Sequence, residues 1–358
     1  MELREDYEIS ERRACRLFVL HRSVCRYESR KSDAVEASIK LAKLNSGKYP
    51  IIAFEGSYHG MTAGALSLCS GRQFKDELLP LLPEIHFIPY AYCYRCAFGR
   101  RRGDCSLECA EYLDHVLDDP HSGIGTPAAV IIEPIQGEGG SVSPPPGFMK
   151  RVRDICTRRG VLLIADEIQA GLCRTGKMFA FEHSEIVPDI VTLSKALGGI
   201  GLPISCVAYR EELDIWKPGA HIGTFRGNMV AFAAGAAALG FMKKHKLAEY
   251  ASELGQVMLR GLEEVQSGSR SCVGEVRGKG MMLGVELVKD KDTMEPAPEV
   301  AKRIRQECVS RGLMIEIGGH YSNVARFLPP LVIPESLAVK GIDLFAEAVR
   351  KVEGGREV

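Results

Sequence analysis

Three times between residues 128 and 195, a largely apolar run ends in a polar turn. Ala128-Ala-Val-Ile-Ile132 leads into Glu133-Pro-Ile-Gln-Gly-Glu-Gly-Gly140, and Val161-Leu-Leu-Ile-Ala165 into Asp166-Glu-Ile-Gln-Ala-Gly171. The run from Pro188 to Leu193 leads into Ser194-Lys195, followed by glycines at 198, 199 and 201. Strands that are apolar throughout, rather than alternately, are buried on both faces. That pattern predicts an α/β fold with a largely parallel sheet and helices on each side. Open sheets of this kind bind ligands just past the carboxyl ends of their strands. All three turns put their charged residues at that end.

The rest of the chain fits around this sheet. Asp33 to Leu44 reads as a helix, with Val35, Ile39 and Ala42 on one face and Asp33 and Glu36 at capping-box spacing. Asn45-Ser-Gly47 stops it, and Tyr49-Pro-Ile-Ile-Ala-Phe54 is a short buried strand ending in Glu55-Gly-Ser-Tyr-His-Gly60. The stretch from Gly147 to Arg159 is helical, as are Met229 to Lys244 and Leu247 to Gln266. Val276 to Leu287 reads as one glycine-interrupted strand, followed by helix 298–311, strand 313–317 and a final helix from Pro334. The expected division is a large domain over 32–245 and a smaller C-terminal α+β domain over 246–358. Residues 1–31 carry many arginines, little periodicity and no assigned element.

Composition narrows the function classes. Lys+Arg and Asp+Glu both number 46, so the chain lacks the basic surplus of a general nucleic-acid binder. No apolar run reaches membrane-spanning length, and Met1-Glu-Leu-Arg-Glu-Asp is too charged for a secretory signal. Twelve cysteines scattered through a chain too large to need disulfide staples point to a reducing, cytoplasmic compartment.

Lys195 stands just past a buried strand in a tight turn. Desolvation of such an amine lowers its pKa and frees its lone pair for imine chemistry; the bland alternative is an exposed loop lysine. Asp166 follows five apolar residues, so its carboxylate needs a partner, unless it is only a helix N-cap. Glu133 and Glu138 flank a glycine-rich turn and read equally as loop-surface acids.

Taken in order, Glu133-Pro-x-Gln-Gly-Glu-Gly-Gly140, Asp166-Glu-x-Gln169, Ser194-Lys195 and Gly223-Thr-Phe-x-Gly-Asn228 resemble the class III, fold-type I pyridoxal-phosphate aminotransferases over residues 32–358. The resemblance implies a mainly parallel, seven-stranded-type central sheet and the coenzyme pyridoxal 5'-phosphate. It implies that Lys195 holds the coenzyme as an aldimine and shuttles the substrate proton, and that Asp166 pairs with the pyridine nitrogen. Gln169 takes the ring hydroxyl, Tyr58 lies against the ring and His59 supports that loop. Thr224 reaches the phosphate from the partner subunit, which implies a homodimer with shared active sites. Arg326 matches the arginine that grips the substrate carboxylate, and Glu138 the acid that neutralises it, with Glu133 a second acid at the same pocket. The pairing of Glu138 with Arg326 points to the 4-aminobutyrate type, moving an amino group from an amino acid to a 2-oxo acid such as 2-oxoglutarate.

Two segments depart from the family pattern. Where a phosphate-binding Ser-Gly-Ser/Ala turn is expected, the sequence reads Ser29-Arg-Lys-Ser32, keeping only Ser32. The expectation is that residues 1–31 are not ancestral sequence, through truncation, frameshift or a misplaced start, which leaves a weakly active or non-catalytic protein as one alternative. The segment Cys93-x-x-Cys96…Cys105-x-x-x-Cys109 has one pair at metal spacing and one a residue too long, and reads as either a thiolate metal site or a solvated loop. A comparable cysteine loop occurs in family members that are racemases or epimerases, so an amino-acid racemase on the same scaffold is the other alternative.

Overall fold

In a computed structural model, which describes residues 33–355 apart from 102, 200, 224 and 225, the apolar runs become neighbouring strands. Helix α1 (Asp33–Ser46) leads to β1 (Ile51–Phe54), the short α2 (Ala63–Ser67) and β2 (Ile85–Ile88). Then come α3 (Glu108–Asp118), β3 (Ala129–Ile132), α4 (Phe148–Arg159), β4 (Leu162–Asp166), β5 (Ile190–Leu193) and β6 (Cys206–Tyr209). These six strands form one sheet in the order β2-β1-β3-β4-β5-β6. Every pairing is parallel except that of β5 with β6. The described residues thus supply six strands of the expected seven-stranded type.

Helices cover both faces, as the continuous apolar strands require. Side chains alternate along a strand, so Ile51 and Ala53 face one way and Ile52 and Phe54 the other. The first pair packs with Val35, Ile39 and Leu41 of α1, and the second with Phe148, Val152 and Ile155 of α4. Phe148 is fully buried. Truncating it to alanine would cost about 3–5 kcal/mol, the usual loss when a buried aromatic leaves a cavity.

Two helices, α5 (Met229–Lys244) and α6 (Leu247–Gly268), connect to a second sheet. The expected boundary near 246 falls between them. This sheet contains β7 (Val273–Lys279) and β8 (Met282–Leu287), and after α7 (Pro298–Ser310) come β9 (Glu316–Gly318) and β10 (Val324–Phe327). Its order is β7-β8-β10-β9, antiparallel throughout, and α8 (Glu335–Gly354) closes the chain. One apolar core runs from Leu193 and Leu197 at the end of β5, through Leu254 and Met258 of α6, to Val285 and Phe345. Among the described residues, no helix is long and apolar enough to cross a membrane.

The expected single strand over Val276 to Leu287 is in fact a hairpin. Gly280 turns it with φ +53°, and a Cβ there would fall 2.4 Å from the Thr175 carbonyl carbon. The glycine marks a left-handed turn pressed on a neighbouring backbone, not an interruption. The strand expected at 313–317 begins later, at Glu316, because the Leu313 amide is still bonded to the Cys308 carbonyl closing α7.

Candidate active site

Parallel pairing brings the carboxyl ends of β1, β3, β4 and β5 to one edge of the sheet. Asp166 is the last residue of β4 and is buried. Its Oδ1 accepts hydrogen bonds from the Thr192 hydroxyl at 2.9 Å and the Ile168 amide at 3.1 Å, and its Oδ2 meets His59 Nδ1 at 2.6 Å. Thr192 lies directly opposite Asp166 in the register of β4 and β5. A buried carboxylate without such donors would be strongly destabilising, so these bonds fix its position.

The contact with Asp166 places the His59 proton on Nδ1, since a carboxylate can only accept. Burial works to lower the pKa of His59, yet the hydrogen bond and charge of Asp166, with the charge of Glu133, raise it above the ordinary histidine value. His59 therefore does more than brace its loop: it holds the outer oxygen of Asp166. Its Nε2 is buried without a hydrogen-bond partner.

Glu133, expected beside the substrate, is instead buried and bound to backbone. Its carboxylate accepts from the amides of Tyr58 and Gly137, each at 3.1 Å. Those bonds tie the loop after β1 to the turn after β3. Burial pushes the Glu133 carboxyl up to about 7, with the neighbouring charge of Asp166 adding to the rise.

Gln169 follows Asp166 by three residues, and its Oε1 is buried with no hydrogen-bond partner. It lies so close over Gly137 that a Cβ there would stand 1.6 Å from it. A buried amide oxygen left unpaired costs free energy, so this acceptor is poised for a donor that is not part of the chain. Tyr58 is partly buried and meets Phe74 edge-on at 5.0 Å between ring centroids. Lys195 opens the 3-10 turn Lys195–Gly198 with φ +44°, a left-handed conformation that lysine adopts only when its surroundings impose it. Ser194 beside it is anchored by its hydroxyl to the Ile204 carbonyl at 2.8 Å. Thr224 and Ser32 lie outside the described residues.

Arg326 reaches the same edge from the second sheet. It stands on β10, between β8 and β9, and its side chain is almost wholly buried. Nη1 donates to Glu138 Oε1 at 2.7 Å, which brings together the two residues expected to pair. Nη2 donates to Glu316 Oε2 at 3.0 Å, a partner the sequence did not reveal. The backbone of Glu138 is fixed as well: its carbonyl accepts from the Gly319 amide at 2.8 Å, and the carbonyl of Gly140 accepts from Arg277 Nε at 2.9 Å.

Arg277 belongs to a buried network. It donates to Glu286 at 2.6 Å, to Glu275 at 2.7 Å and to the Tyr92 hydroxyl at 3.0 Å. Tyr92 in turn donates to Glu286, which also binds Arg95 at 2.5 Å. This cluster clamps the segment after β2 and the turn after β3 to the hairpin of β7 and β8. Nothing in the sequence flagged it, because Tyr92 and Arg95 are far in the chain from Arg277 and Glu286.

The cysteine segment begins with the 3-10 turn Cys93–Arg95 and ends in the first turn of α3, where Cys109 sits. Burial pushes the Cys109 thiol up to about 12, which opposes the thiolate form that metals bind. Among the described residues, no group of three or more His, Cys, Asp and Glu side chains is arranged to hold a metal ion.

Comparisons with known proteins agree with this geometry. Residues 26–349 match the family described as Aminotransferase class-III. The chain is 45% identical over 311 residues to a diaminobutyrate--2-oxoglutarate aminotransferase of Rhizobium meliloti, covering 85% of the chain and 66% of that enzyme. It is 39% identical over 326 residues to a leucine/methionine racemase of Thermococcus litoralis, covering 91% of the chain and 72% of the racemase. The chain thus spans roughly two thirds of the length of these relatives. Among solved structures, a PLP-bound amine transaminase from an uncultivated Pseudomonas species superimposes with a TM-score of 0.80 at 28% identity, over 91% of this chain and 75% of that one.

Proposed function

This chain belongs to the class III aminotransferases, and on that premise we propose that it is a pyridoxal-phosphate-dependent aminotransferase. Its donor is an amino acid with a terminal amine, of the 4-aminobutyrate or 2,4-diaminobutyrate kind, and its acceptor a 2-oxo acid such as 2-oxoglutarate. The observation that carries the reading is the grouping of a buried carboxylate, an unpaired amide oxygen and a strained lysine at the ends of the adjacent strands β4 and β5. That donor set fits a pyridinium ring bearing a hydroxyl. Asp166 would hold the ring nitrogen, Gln169 Oε1 the hydroxyl and Tyr58 the ring face, while Thr224 and Ser32, with nearby amides, would hold the phosphate.

When bound, the coenzyme supplies an electrophilic carbon for the amine and a cationic ring that stabilises the charge left when a substrate proton departs. The chain's own residues do the rest. Asp166, fixed by Thr192, Ile168 and His59, keeps a negative charge at the base of the pocket. The Lys195 amine would anchor the coenzyme, then take the proton from the substrate's amine-bearing carbon and deliver it to the coenzyme's electrophilic carbon, with the reverse path serving the 2-oxo acid. Arg326 grips the α-carboxylate of the 2-oxo acid, and Glu138 neutralises it when the donor has no carboxylate there.

A homodimer forms part of this reading. Helix α5 is apolar nearly all round, and Met229, Val230, Phe232 and Phe241 on it are exposed. A helix apolar on every side is normally buried, and a second copy of the chain is the partner we propose. Sedimentation at micromolar concentration tests this; a monomer would refute it.

A racemase is the second reading, favoured by the relative of that name at 39% identity. The deciding experiment mixes the purified chain with pyridoxal phosphate, traps the lysine adduct with borohydride and finds it by peptide mass spectrometry. Products from 4-aminobutyrate, 2,4-diaminobutyrate and leucine are then analysed. An adduct on Lys195 and a new amino acid formed from 2-oxoglutarate support the aminotransferase. A change of chirality with no acceptor supports the racemase, and absence of any adduct refutes both.

A further inference from the structure

We infer that Glu316 is a second counter-ion of Arg326 and that it governs how readily the pocket admits a dicarboxylate acceptor; the inference rests on the aminotransferase reading above. Arg326 and Glu316 face each other across β10 and β9 in register. Their side chains therefore project from the same side of the pair, and Gly318, two residues on, presents a bare Cα on that side. The guanidinium lies over this glycine: a Cβ at 318 would come within 2.7 Å of Arg326 Nε. Nε is buried and has no hydrogen-bond partner. The other two nitrogens are each taken by a different acid, Nη1 by Glu138 and Nη2 by Glu316.

This arrangement constrains any incoming carboxylate. A guanidinium grips a carboxylate through two neighbouring nitrogens, either the two terminal ones or Nε with Nη2. The first mode sets the substrate on nitrogens that already serve both acids, and the second on the nitrogen that serves Glu316. Glu316 therefore competes with the substrate for the guanidinium whichever way it binds. With both acids in place the trio carries a formal charge of −1, whereas a single acid would leave the arginine neutralised. The surplus charge repels a carboxylate and favours a donor that presents only an amine, or carries a second ammonium.

The two acids differ in how firmly they are held. The side chain of Glu138 is 30% exposed and that of Glu316 is 65% exposed. Glu138 also has its backbone fixed by Gly319. Glu316 is thus the acid that can swing into water at small cost. Ion pairs with an exposed partner are weak, so its removal should change affinity by about three- to five-fold rather than by orders of magnitude. Glu316 is a positioning and specificity residue, and it takes no part in proton transfer.

The test measures binding as well as turnover. Glutarate, a dicarboxylate that cannot react, is titrated by calorimetry into the coenzyme-loaded chain, its Glu316→Gln variant, and both backgrounds carrying Arg326→Gln. Glu316→Gln should bind glutarate about three- to five-fold tighter and lower KM for 2-oxoglutarate by a similar factor, with kcat little changed. Arg326→Gln should remove the gain in both. A gain of affinity is not what damage to the fold produces. Equal or weaker glutarate binding by Glu316→Gln, or a gain that survives Arg326→Gln, overturns the inference. Conversion of the coenzyme spectrum by the amine donor is followed in the same samples. If it occurs while glutarate affinity is unchanged, only this inference falls; if it fails, the function reading falls and the binding result still judges Glu316.

Discussion

Gly137→Ala separates the role of Gln169 from the stability of the fold. Gly137 is not among the glycines with positive φ, so an alanine meets no backbone strain. Its Cβ would stand 1.6 Å from Gln169 Oε1, 2.5 Å from Cδ and 3.4 Å from Cγ. Only the end of a flexible side chain must move. Rotating it costs about 0.5–1.5 kcal/mol, and the lost glycine freedom of the unfolded chain returns about 0.4–1 kcal/mol. The coenzyme-free variant should therefore melt within a few degrees of wild type. In the role proposed for Gln169, however, the displaced oxygen can no longer take the coenzyme's ring hydroxyl. Losing that hydrogen bond costs about 1–2 kcal/mol, or roughly 5- to 30-fold in coenzyme affinity. The assay is an absorbance titration with pyridoxal phosphate for wild type, Gly137→Ala, Gln169→Ala and the double variant. The two single losses should match and the double should be no worse, because both remove one contact. Wild-type affinity in Gly137→Ala, or losses that add in the double variant, would refute the assignment of Gln169.

Two further outcomes follow from buried charges. Glu353 in α8 accepts from the Ser269 hydroxyl and the amides of Arg270, Ser271 and Cys272, which together outweigh its partial burial and hold its pKa down to about 2. A depressed carboxyl stabilises above its unfolded value near 4.5 and loses that contribution as pH falls towards 2. Discounted for solvent screening, it contributes about 1–2 kcal/mol. Glu353→Gln should thus melt roughly 1–3 °C lower at pH 7, with the gap closing on acidification in calorimetric scans. For His59, whose pKa is raised, the sign reverses: its ionic contribution is complete below about 6.5 and disappears as pH rises through the folded value. Thermal melts of His59→Gln against wild type should differ more at pH 6 than at pH 9, and a gap that widens with pH would contradict the pairing with Asp166.

The sequence was readable wherever local pattern and tertiary demand coincided. The helix from Met229 to Lys244 begins and ends where it was expected, its first turn capped by the Asn228 side chain, and the runs before Glu133, Asp166 and Lys195 are strands because burial on both faces keeps them largely apolar. Short elements escaped. β6, Cys206–Tyr209, is an edge strand with alternating exposure, and at four residues it offers too little pattern to stand out from a loop. At the site, Lys195, Asp166, Gln169 and Arg326 were nominated because each closes an apolar run or belongs to a recognisable motif. The backbone bonds of Glu133 were illegible for an equally physical reason: a glutamate after a strand looks the same whether it faces a substrate or two backbone amides. Thr192 carried a faint signal, as the one hydroxyl in an apolar strand three residues before the lysine. Glu316 carried none, since its importance comes entirely from the register of β9 on β10.

The cluster of Arg277, Glu286, Tyr92 and Arg95 limits how this chain can change over evolutionary time. Removing one member strands the others in a dry interior at a cost of about 3–5 kcal/mol, whereas replacing the whole group with well-packed apolar residues is often neutral or stabilising. Single substitutions there are traps, and the route between the two solutions passes through poorly folded intermediates. Four residues from the segment after β2 and from the β7–β8 hairpin are therefore expected to be inherited as a block. A library that varies them one at a time would find only losses, while one that varies them together could recover stable alternatives.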